Sequence, residues 1–248
     1  MTYVAVTALS HPGLVRDGNE DSLVAGPWTL CSTVTENPQT LVFPLGTPLV
    51  VAVADGLGGQ PGGEVASALV VRRLARTGPG LTDEDAVRQA LHACNREVYA
   101  AAEASGGALT TMGTTVAGAV VSPRSLLVFN VGDSRVLAAP RCGVLQISTD
   151  DSPAPEPGRR TTSVVTQALG GTPEYRPVVP HVTTASVSPG DRYLICTDGL
   201  TDPLPTEVLD DILREHADGR AAFELWKAAI AAGGPDNITL AVVRIADA

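Results

Sequence analysis

Aromatic side chains are scarce in this chain of 248 residues, at 4%, and methionine occurs only twice. The core must therefore be built from Val, Leu, Ile and Ala, which supply most of the 44% hydrophobic content. No apolar stretch is long enough to cross a bilayer, and no basic segment followed by an apolar run marks a signal peptide. The sequence therefore predicts a soluble, cytoplasmic protein with no membrane partner.

Cysteine is also sparse, with four residues that form no CxxC pair. This spacing gives no sign of a zinc site or a disulfide framework. Neither Cys142 nor Cys196 begins a loop that could cradle a phosphate and end in Arg, which argues against a thiolate nucleophile for phosphate esters. We interpret all four, including Cys31 and Cys94, as reduced thiols packed in or near the core.

Basic charge is in the minority, because 17 Lys and Arg residues against 27 Asp and Glu residues give a net charge of −10. Proteins that bind duplex nucleic acid usually carry a clustered basic face. Here the basic residues occur in small pairs such as Arg72-Arg73 and Arg159-Arg160, which are typical of a solvated surface. Nucleic acid is therefore not an expected partner.

Glycine (25) and proline (19) are abundant and divide the chain into short strands and a few helices. Pro48–Ala54 is an apolar, β-branched run typical of a buried strand, and Gly63–Arg76 shows helical spacing. A second helix is predicted over Thr82–Ala104, with Thr82 as its N-cap. Strands and helices come in blocks rather than in strict alternation, which favours antiparallel sheets with helices outside them in one domain, residues 1–248. A loop is predicted over residues 148–160, and a short element over Ser163–Ala168.

Acidic residues stand at the ends of several apolar strands. Asp55, Asp133 and Asp198 each follow a predicted strand, Asp236 precedes the last one, and the cluster Asn19-Glu20-Asp21 follows the first. One such residue is an ordinary turn or cap. If all five places converged, a divalent cation would be the usual means of offsetting their repulsion, and an all-oxygen ligand set suits Mg²⁺ or Mn²⁺. Spacing alone does not establish that they converge.

The same segments closely resemble, in order, those of the metal-dependent protein phosphatases, the type 2C serine/threonine phosphatases in their bacterial form. The resemblance covers nearly the whole chain, from Leu14 to Val243. Six blocks carry it: Arg16–Ser22 (RDGNEDS), Val53–Gly59 (VADGLGG), Met112–Thr115 (MGTT), Val131–Arg135 (VGDSR), Cys196–Asp202 (CTDGLTD) and Gly234–Thr239 (GPDNIT). It implies an α+β fold, a four-layer α/β/β/α sandwich with two central antiparallel sheets flanked by helices.

The resemblance also implies a metal site with two ions, Mn²⁺ or Mg²⁺. Asp55 would bridge the two, and the backbone carbonyl of Gly56 would bind one of them. Asp198 and Asp236 would complete the first metal.

The second metal would be served by Glu20 or Asp21, directly or through water. Many bacterial members bind a third ion, and Asp133 together with Asp198 matches that position. The cofactors implied are therefore two divalent cations, with a third at a weaker site.

Arg16 matches the arginine that binds the substrate phosphate, and Asp202 and Asn237 match positions that support the metal ligands. The implied activity is hydrolysis of phosphoserine and phosphothreonine in proteins by a metal-activated water. The implied partners are phosphorylated proteins, substrates of a bacterial serine/threonine kinase, and the protein is expected to be a monomer.

Two departures from the family pattern bear on function. Leu57 occupies the position where eukaryotic members carry His, which excludes a histidine general acid there. Asp151 replaces the His of an Asp-His-Ser motif, and the following flap is short and Pro-rich at residues 148–160. A short flap leaves the cleft open, so we expect broad or partner-defined specificity.

Two alternatives remain open at the level of sequence. The altered flap is compatible with a regulatory module that binds phosphoproteins without turnover, although such a module would be expected to lose metal ligands. A metal hydrolase acting on small phosphoesters is the other alternative.

Overall fold

Two large antiparallel sheets pack face to face in the computed structural model, which describes residues 2–57, 62–154, 161–162 and 164–247. The strands in these residues are β1 (Thr2–His11), β2 (Ser22–Ala25), β3 (Trp28–Cys31), β4 (Gln39–Pro44), β5 (Leu49–Ala54), β6 (Gly56–Leu57), β7 (Gly113–Thr114), β8 (Val116–Val121), β9 (Ser125–Val131), β10 (Arg135–Ala138), β11 (Leu145–Gln146), β12 (Leu169–Gly170), β13 (His181–Ser186), β14 (Arg192–Cys196) and β15 (Ile238–Asp247). The α-helices are α1 (Gly63–Thr77), α2 (Glu84–Ala104), α3 (Asp198–Thr201), α4 (Thr206–Glu215) and α5 (Asp218–Ala231).

The first sheet has the strand order β11-β10-β14-β15-β1-β4, and the second has the order β13-β9-β8-β5-β2-β3. A small third sheet, β12-β7-β6, lies beside them. The pairings are antiparallel, as expected for strands that follow one another in blocks. The predicted α+β sandwich is therefore confirmed.

Strand β5 shows why the apolar run near residue 50 is continuous rather than alternating. All six of its residues are buried. Val50, Ala52 and Ala54 face the core beneath α1 and α2, whereas Leu49, Val51 and Val53 face the core between the two sheets. A strand that is covered on both faces needs apolar side chains at every position.

The helices form the two outer layers. Helices α1 and α2 cover the second sheet, while α4 and α5 cover the first. The prediction that Thr82 caps α2 was wrong, because the N-cap is Asp83, whose side chain accepts a hydrogen bond from the Ala86 N–H. An aspartate accepts this bond while also placing its charge at the positive end of the helix.

Some elements escaped the sequence analysis for physical reasons. The edge strands β3 and β4 are short and only half covered, so their side chains lack a clear pattern. In the Ser163–Ala168 segment the described residues form neither helix nor strand, so the short element predicted there is not found.

The prediction that all four cysteines lie in or near the core was wrong for Cys142, because its side chain is exposed. By contrast, burial raises the pKa of Cys196 to about 12, which suits a structural thiol.

Antiparallel register brings the acidic strand ends to one edge of the sandwich. Ser22 pairs with Ala54, and Cys196 pairs with both Arg135 and Leu240. Consequently the chain leaves β5, β9 and β14, and enters β15, on the same side of the molecule. The fold thus places these acidic segments around a common opening.

Candidate metal centre

A cleft of about 410 Å³ opens at this edge. Of the residues predicted to form the site, those that line it are Arg16, Glu20, Asp55, Gly56, Asp133, Asp198, Asp236 and Asn237. Asp202 instead lines an adjoining cavity of about 240 Å³ that shares Asp133 and Asp198 with the cleft. Asp21 lines neither of the two.

Asp55 directly follows β5 and is fixed through its backbone. Its N–H donates to Thr115 Oγ1 at 3.1 Å, and its carbonyl accepts from Thr114 Oγ1 at 2.8 Å. The Thr115 hydroxyl also lies 2.7 Å from that of Ser134. The Thr-Thr pair therefore shapes the strand end and links Asp55 to the turn that carries Asp133.

Two glycines allow Glu20 to reach the cleft. A Cβ on Gly63 would lie 2.2 Å from Glu20 Oε2, and a Cβ on Gly56 would lie 2.7 Å from the Glu20 carbonyl oxygen. Real Cβ contacts are not this short, so any other residue would displace Glu20. Ser67 holds the same carbonyl with a hydrogen bond of 2.6 Å.

Asp21 lies beneath the cleft and is fully buried. Its Oδ2 accepts from Thr197 Oγ1 at 2.9 Å, while its Oδ1 has no hydrogen-bond partner among the described residues. Burial raises its pKa to about 7, although the bonds from Thr197 and Thr239 oppose that change. Of the two acidic neighbours, Glu20 faces the cleft and Asp21 supports it from below.

Asp198 starts α3 immediately after β14. The preceding residue locks the strand end, because the Thr197 N–H donates to the Thr239 carbonyl and Thr197 Oγ1 accepts from the Thr239 N–H, both at 3.0 Å. The carboxyl groups of Asp198 and Asp55 lie close enough to perturb each other's pKa. Asp198 Oδ1 is buried and has no hydrogen-bond partner within the described part of the chain. Two carboxyl groups in contact require a shared proton or a cation.

Asp236 and Arg16 form an ion pair of 2.7 Å across the mouth of the cleft. Both side chains are partly exposed, at 30% and 50%, so the pair contributes little stability, on the order of 0–1 kcal/mol. Hydrogen bonding to Asp236, followed by its charge, raises the pKa of Arg16.

Asn237 closes the loop that carries Arg16. Its Nδ2 donates to the carbonyls of Pro12 at 3.0 Å and Gly18 at 2.8 Å, and its Oδ1 accepts from the Glu20 N–H at 2.8 Å. One side chain therefore fixes both ends of the loop that carries Arg16.

The electrostatics of the cleft are those of crowded, poorly solvated carboxylates. Burial, followed by the charges of Asp21 and Asp198, raises the pKa of Asp55 well above its ordinary value. Burial, followed by the charge of Asp198, raises the pKa of Asp133 to about 7 and that of Asp202 to about 6. Such groups ionise fully only when positive charge is supplied.

The residues fit divalent cations by their chemistry. The donors are carboxylate and carbonyl oxygens, the ligands that Mg²⁺ and Mn²⁺ prefer. The Oδ1 atoms of Asp21 and Asp198 are buried, and neither has a hydrogen-bond partner among the described residues. A bound cation would compensate the negative charge of such atoms. As the side chains stand, however, no group of three or more His, Cys, Asp or Glu in the described ranges is arranged to hold an ion. Asp236 is paired with Arg16, and Asp55 with Asp198, so these groups would have to be redirected.

The contacts of Asp151 were not predicted from the sequence. Its Oδ2 accepts from the Gly132 N–H at 2.9 Å and from Gln167 Nε2 at 2.8 Å, and its Oδ1 lies 2.9 Å from His181 Nε2. The replacement of the family His by Asp151 is thus matched by a His on β13. In the sequence, only the presence of Asp151 in place of the family His indicated that this position is unusual.

The family model for protein phosphatase 2C matches residues 42–227, which is 186 of the 248 residues. The chain belongs to the protein phosphatase 2C family. The predicted resemblance is thereby confirmed. Among curated relatives, the serine/threonine protein phosphatase PstP of Mycobacterium tuberculosis is 32% identical over 97% of this chain. The chain spans only 45% of that relative. The serine/threonine phosphatase stp of Listeria monocytogenes is 31% identical, covering 79% of this chain and 84% of the relative.

Solved structures of this family share the fold. The crystal structure of M. tuberculosis PstP/Ppp superimposes with a TM-score of 0.81 at 30% identity and covers 99% of this chain and 100% of that one. The PstP catalytic domain in complex with two manganese ions gives a TM-score of 0.80 at 31% identity, with both chains fully covered. Within the described residues of this family member, no helix is long and apolar enough to cross a membrane.

Proposed function

We propose that this type 2C family member is a metal-dependent phosphatase that hydrolyses phosphoserine and phosphothreonine in proteins. The observation that supports this most is the meeting of Arg16 with carboxylates from four strand ends in one cleft. Relatives named as serine/threonine phosphatases support the same assignment.

Two divalent cations, Mn²⁺ or Mg²⁺, would be held around Asp55. Glu20 and the Gly56 carbonyl would bind one ion, and Asp198 and Asp236 the other. The complex of PstP with two manganese ions supports this number. When bound, such ions supply Lewis acidity, which lowers the pKa of water towards neutrality and offsets charge on phosphate.

A third ion is proposed for the adjoining cavity, between Asp133 and Asp198. Asp202 lines that cavity, and Arg135 does so too, paired with Asp150 at 2.8 Å. The positive charge of Arg135 already compensates part of the acidic cluster, so this ion should bind more weakly than the other two.

Arg16 is proposed to bind the substrate phosphate. Its planar guanidinium can donate to two phosphate oxygens at once. Because its pair with Asp236 is half exposed, Arg16 can exchange that partner for phosphate at little cost. This contact orients the phosphorus for in-line attack by water and stabilises the charge that develops in the transition state.

The substrates proposed are phosphoproteins made by a bacterial serine/threonine kinase, and the active species proposed is a monomer. A short flap at residues 148–160 would leave the cleft open, although residues 155–160 lie outside the described part of the chain. Broad specificity remains the prediction, and strong sequence selection in a phosphopeptide panel would contradict it.

The decisive experiment measures Mn²⁺-dependent hydrolysis of p-nitrophenyl phosphate and of a phosphothreonine peptide. Asp55→Asn should abolish turnover, whereas Arg16→Ala should raise KM and lower kcat/KM by about tenfold or more, the loss expected for a charge-assisted phosphate contact. Asp85→Asn and Arg72→Ala, which change exposed residues on the helices, should leave both rates unchanged.

The alternatives give different results. No turnover at millimolar Mn²⁺, with retained phosphopeptide binding, would favour a regulatory module. Faster turnover of a sugar phosphate than of the phosphopeptide would favour a hydrolase of small phosphoesters.

A further inference from the structure

A third cavity, of about 880 Å³ and so larger than the cleft, lies at the opposite end of the first sheet. It is bounded by the end of β10, the start of β14 and the C-terminal part of α4. Both β10 and β14 connect it to the metal centre, since Asp133 precedes β10 and Asp198 follows β14. Strands of four and five residues span roughly 15 Å at about 3.3 Å per residue, so this cavity is separate from the cleft.

Arginines dominate the walls of this cavity. Arg141, Arg192, Arg214 and Arg244 all line it, in a chain that has only 17 basic residues and a net charge of −10. His216 adds a further nitrogen donor or acceptor. This concentration contrasts with the rest of the acidic chain.

The acidic residues in the walls are already engaged. Asp191 accepts from the Ser188 N–H at 2.8 Å and from Tyr193 Oη at 3.2 Å. Asp210 accepts from the Val144 N–H at 3.1 Å.

On α4, Arg214 contacts Asp210 and Asp211, but it is 54% exposed. Exposed pairs of this kind contribute little and exchange partners readily.

A charge imbalance lies at the base of the cavity. Arg192 is only 6% exposed, donates to the Leu213 carbonyl through Nη1, and has its Nη2 2.9 Å from Asp218 Oδ1. The same Asp218 accepts two hydrogen bonds of 2.7 Å from Arg244. Two guanidinium groups therefore share one carboxylate.

The buried member of this pair has unmet hydrogen-bonding capacity. Arg192 Nε has no hydrogen-bond partner among the described residues. Burial, partly offset by Asp218 but reinforced by Arg244, lowers the pKa of Arg192. Because Arg192 and Arg244 share the single carboxylate of Asp218, an anion in the cavity above them would offset the positive charge that Asp218 leaves uncompensated.

We propose that this cavity binds a small organic phosphate. A guanidinium fork matches the geometry of phosphate oxygens, and Arg141 and Arg214 offer exposed guanidinium groups at this cavity. Apolar atoms of Pro140 and Leu213 give the organic part a surface to pack on. The volume lies in the range typical of ligand pockets, about 300–1,000 Å³.

The test titrates the whole chain with pyrophosphate and, separately, with ADP, by calorimetry in the presence of EDTA. Without cations the catalytic cleft is crowded with carboxylates and repels anions, so binding there is suppressed. One site per chain is expected. Tighter binding of ADP than of pyrophosphate would show that the organic part contributes, as proposed.

Variants locate the site. Arg141→Ala and Arg244→Ala should each weaken binding by about tenfold or more, because each removes a charge-assisted contact. Arg16→Ala in the cleft and Arg72→Ala on α1 are the controls and should bind as the unmodified chain does. Arg141 is exposed, so its variant should fold even if Arg244→Ala, which removes two hydrogen bonds to Asp218, does not.

Three results would overturn the proposal. These are the absence of binding of both anions at millimolar concentration, unchanged affinity in the Arg141→Ala variant, and loss of binding in the Arg16→Ala variant. The last would place the anion in the catalytic cleft.

Discussion

Single side chains with several partners organise the candidate metal centre. Asn237 is the clearest case, because its amide reaches the two ends of the Arg16 loop and the backbone of Glu20. A carboxylate of the same shape could accept but could not donate. The chemistry of the amide, more than its size, therefore fixes this loop.

We expect Asn237→Asp to lower kcat/KM for p-nitrophenyl phosphate by about tenfold or more, since misplacement of a phosphate contact has effects of that order or larger. The new carboxylate would face the carbonyls of Pro12 and Gly18 and add charge beside Asp236. Asn37→Asp on an exposed loop is the matched control. An unchanged rate in a folded Asn237→Asp variant would contradict the positioning role.

At the scale of elements, Asp151 connects pieces of chain that are distant in sequence. It ties the turn after β9 to the segment around Gln167 and to the first residue of β13. Its side chain is 12% exposed, whereas that of His181 is 38% exposed. The carboxylate is thus the buried centre of the cluster, and the imidazole is its outer partner.

Asp151→Ala should lower the free energy of unfolding by about 2–3 kcal/mol, because it leaves a buried N–H without an acceptor. His181→Ala should cost less, about 1 kcal/mol or below, since that pair is more exposed. Urea unfolding of both variants measures the difference. Equal costs would show that the Asp151 contacts to Gly132 and Gln167 contribute nothing.

For the whole molecule, the crowded carboxylates make stability depend on pH and on metal. Asp21 and Asp133 have pKa values of about 7 in the fold, against about 3.9 in an unfolded chain. Between these values the folded state binds more protons, so the metal-free protein loses stability as pH rises from about 4 to about 7. Cations that bind the ionised carboxylates should reverse this loss.

Thermal unfolding in EDTA should therefore give a lower Tm at pH 8 than at pH 5.5, by several degrees. Added Mn²⁺ should raise Tm more at pH 8 than at pH 5.5. Asp21→Asn should reduce the difference between the Tm values measured in EDTA at pH 5.5 and pH 8. Asp83→Asn, at an exposed helix cap, should leave that difference unchanged. A Tm in EDTA that rises over this interval would refute the argument.

The resemblance of the six ordered blocks to a known family gave the family and implied the four layers. Most of the elements were predicted from the residues themselves, because burial on one or both faces of an element leaves a local pattern. The run Leu49–Ala54 and the helix Gly63–Thr77 are examples. The ordered acidic blocks also gave the residues of the cleft, although their metal roles remain predictions.

Only the tertiary structure decided which groups face one another. It placed Glu20 on the cleft and Asp21 beneath it, paired Asp151 with His181, and brought Arg141 and its neighbours to a separate cavity. Such contacts depend on strand register and on the packing of segments far apart in sequence. No periodicity records them, since each partner looks like an ordinary turn or surface residue until the chain has folded.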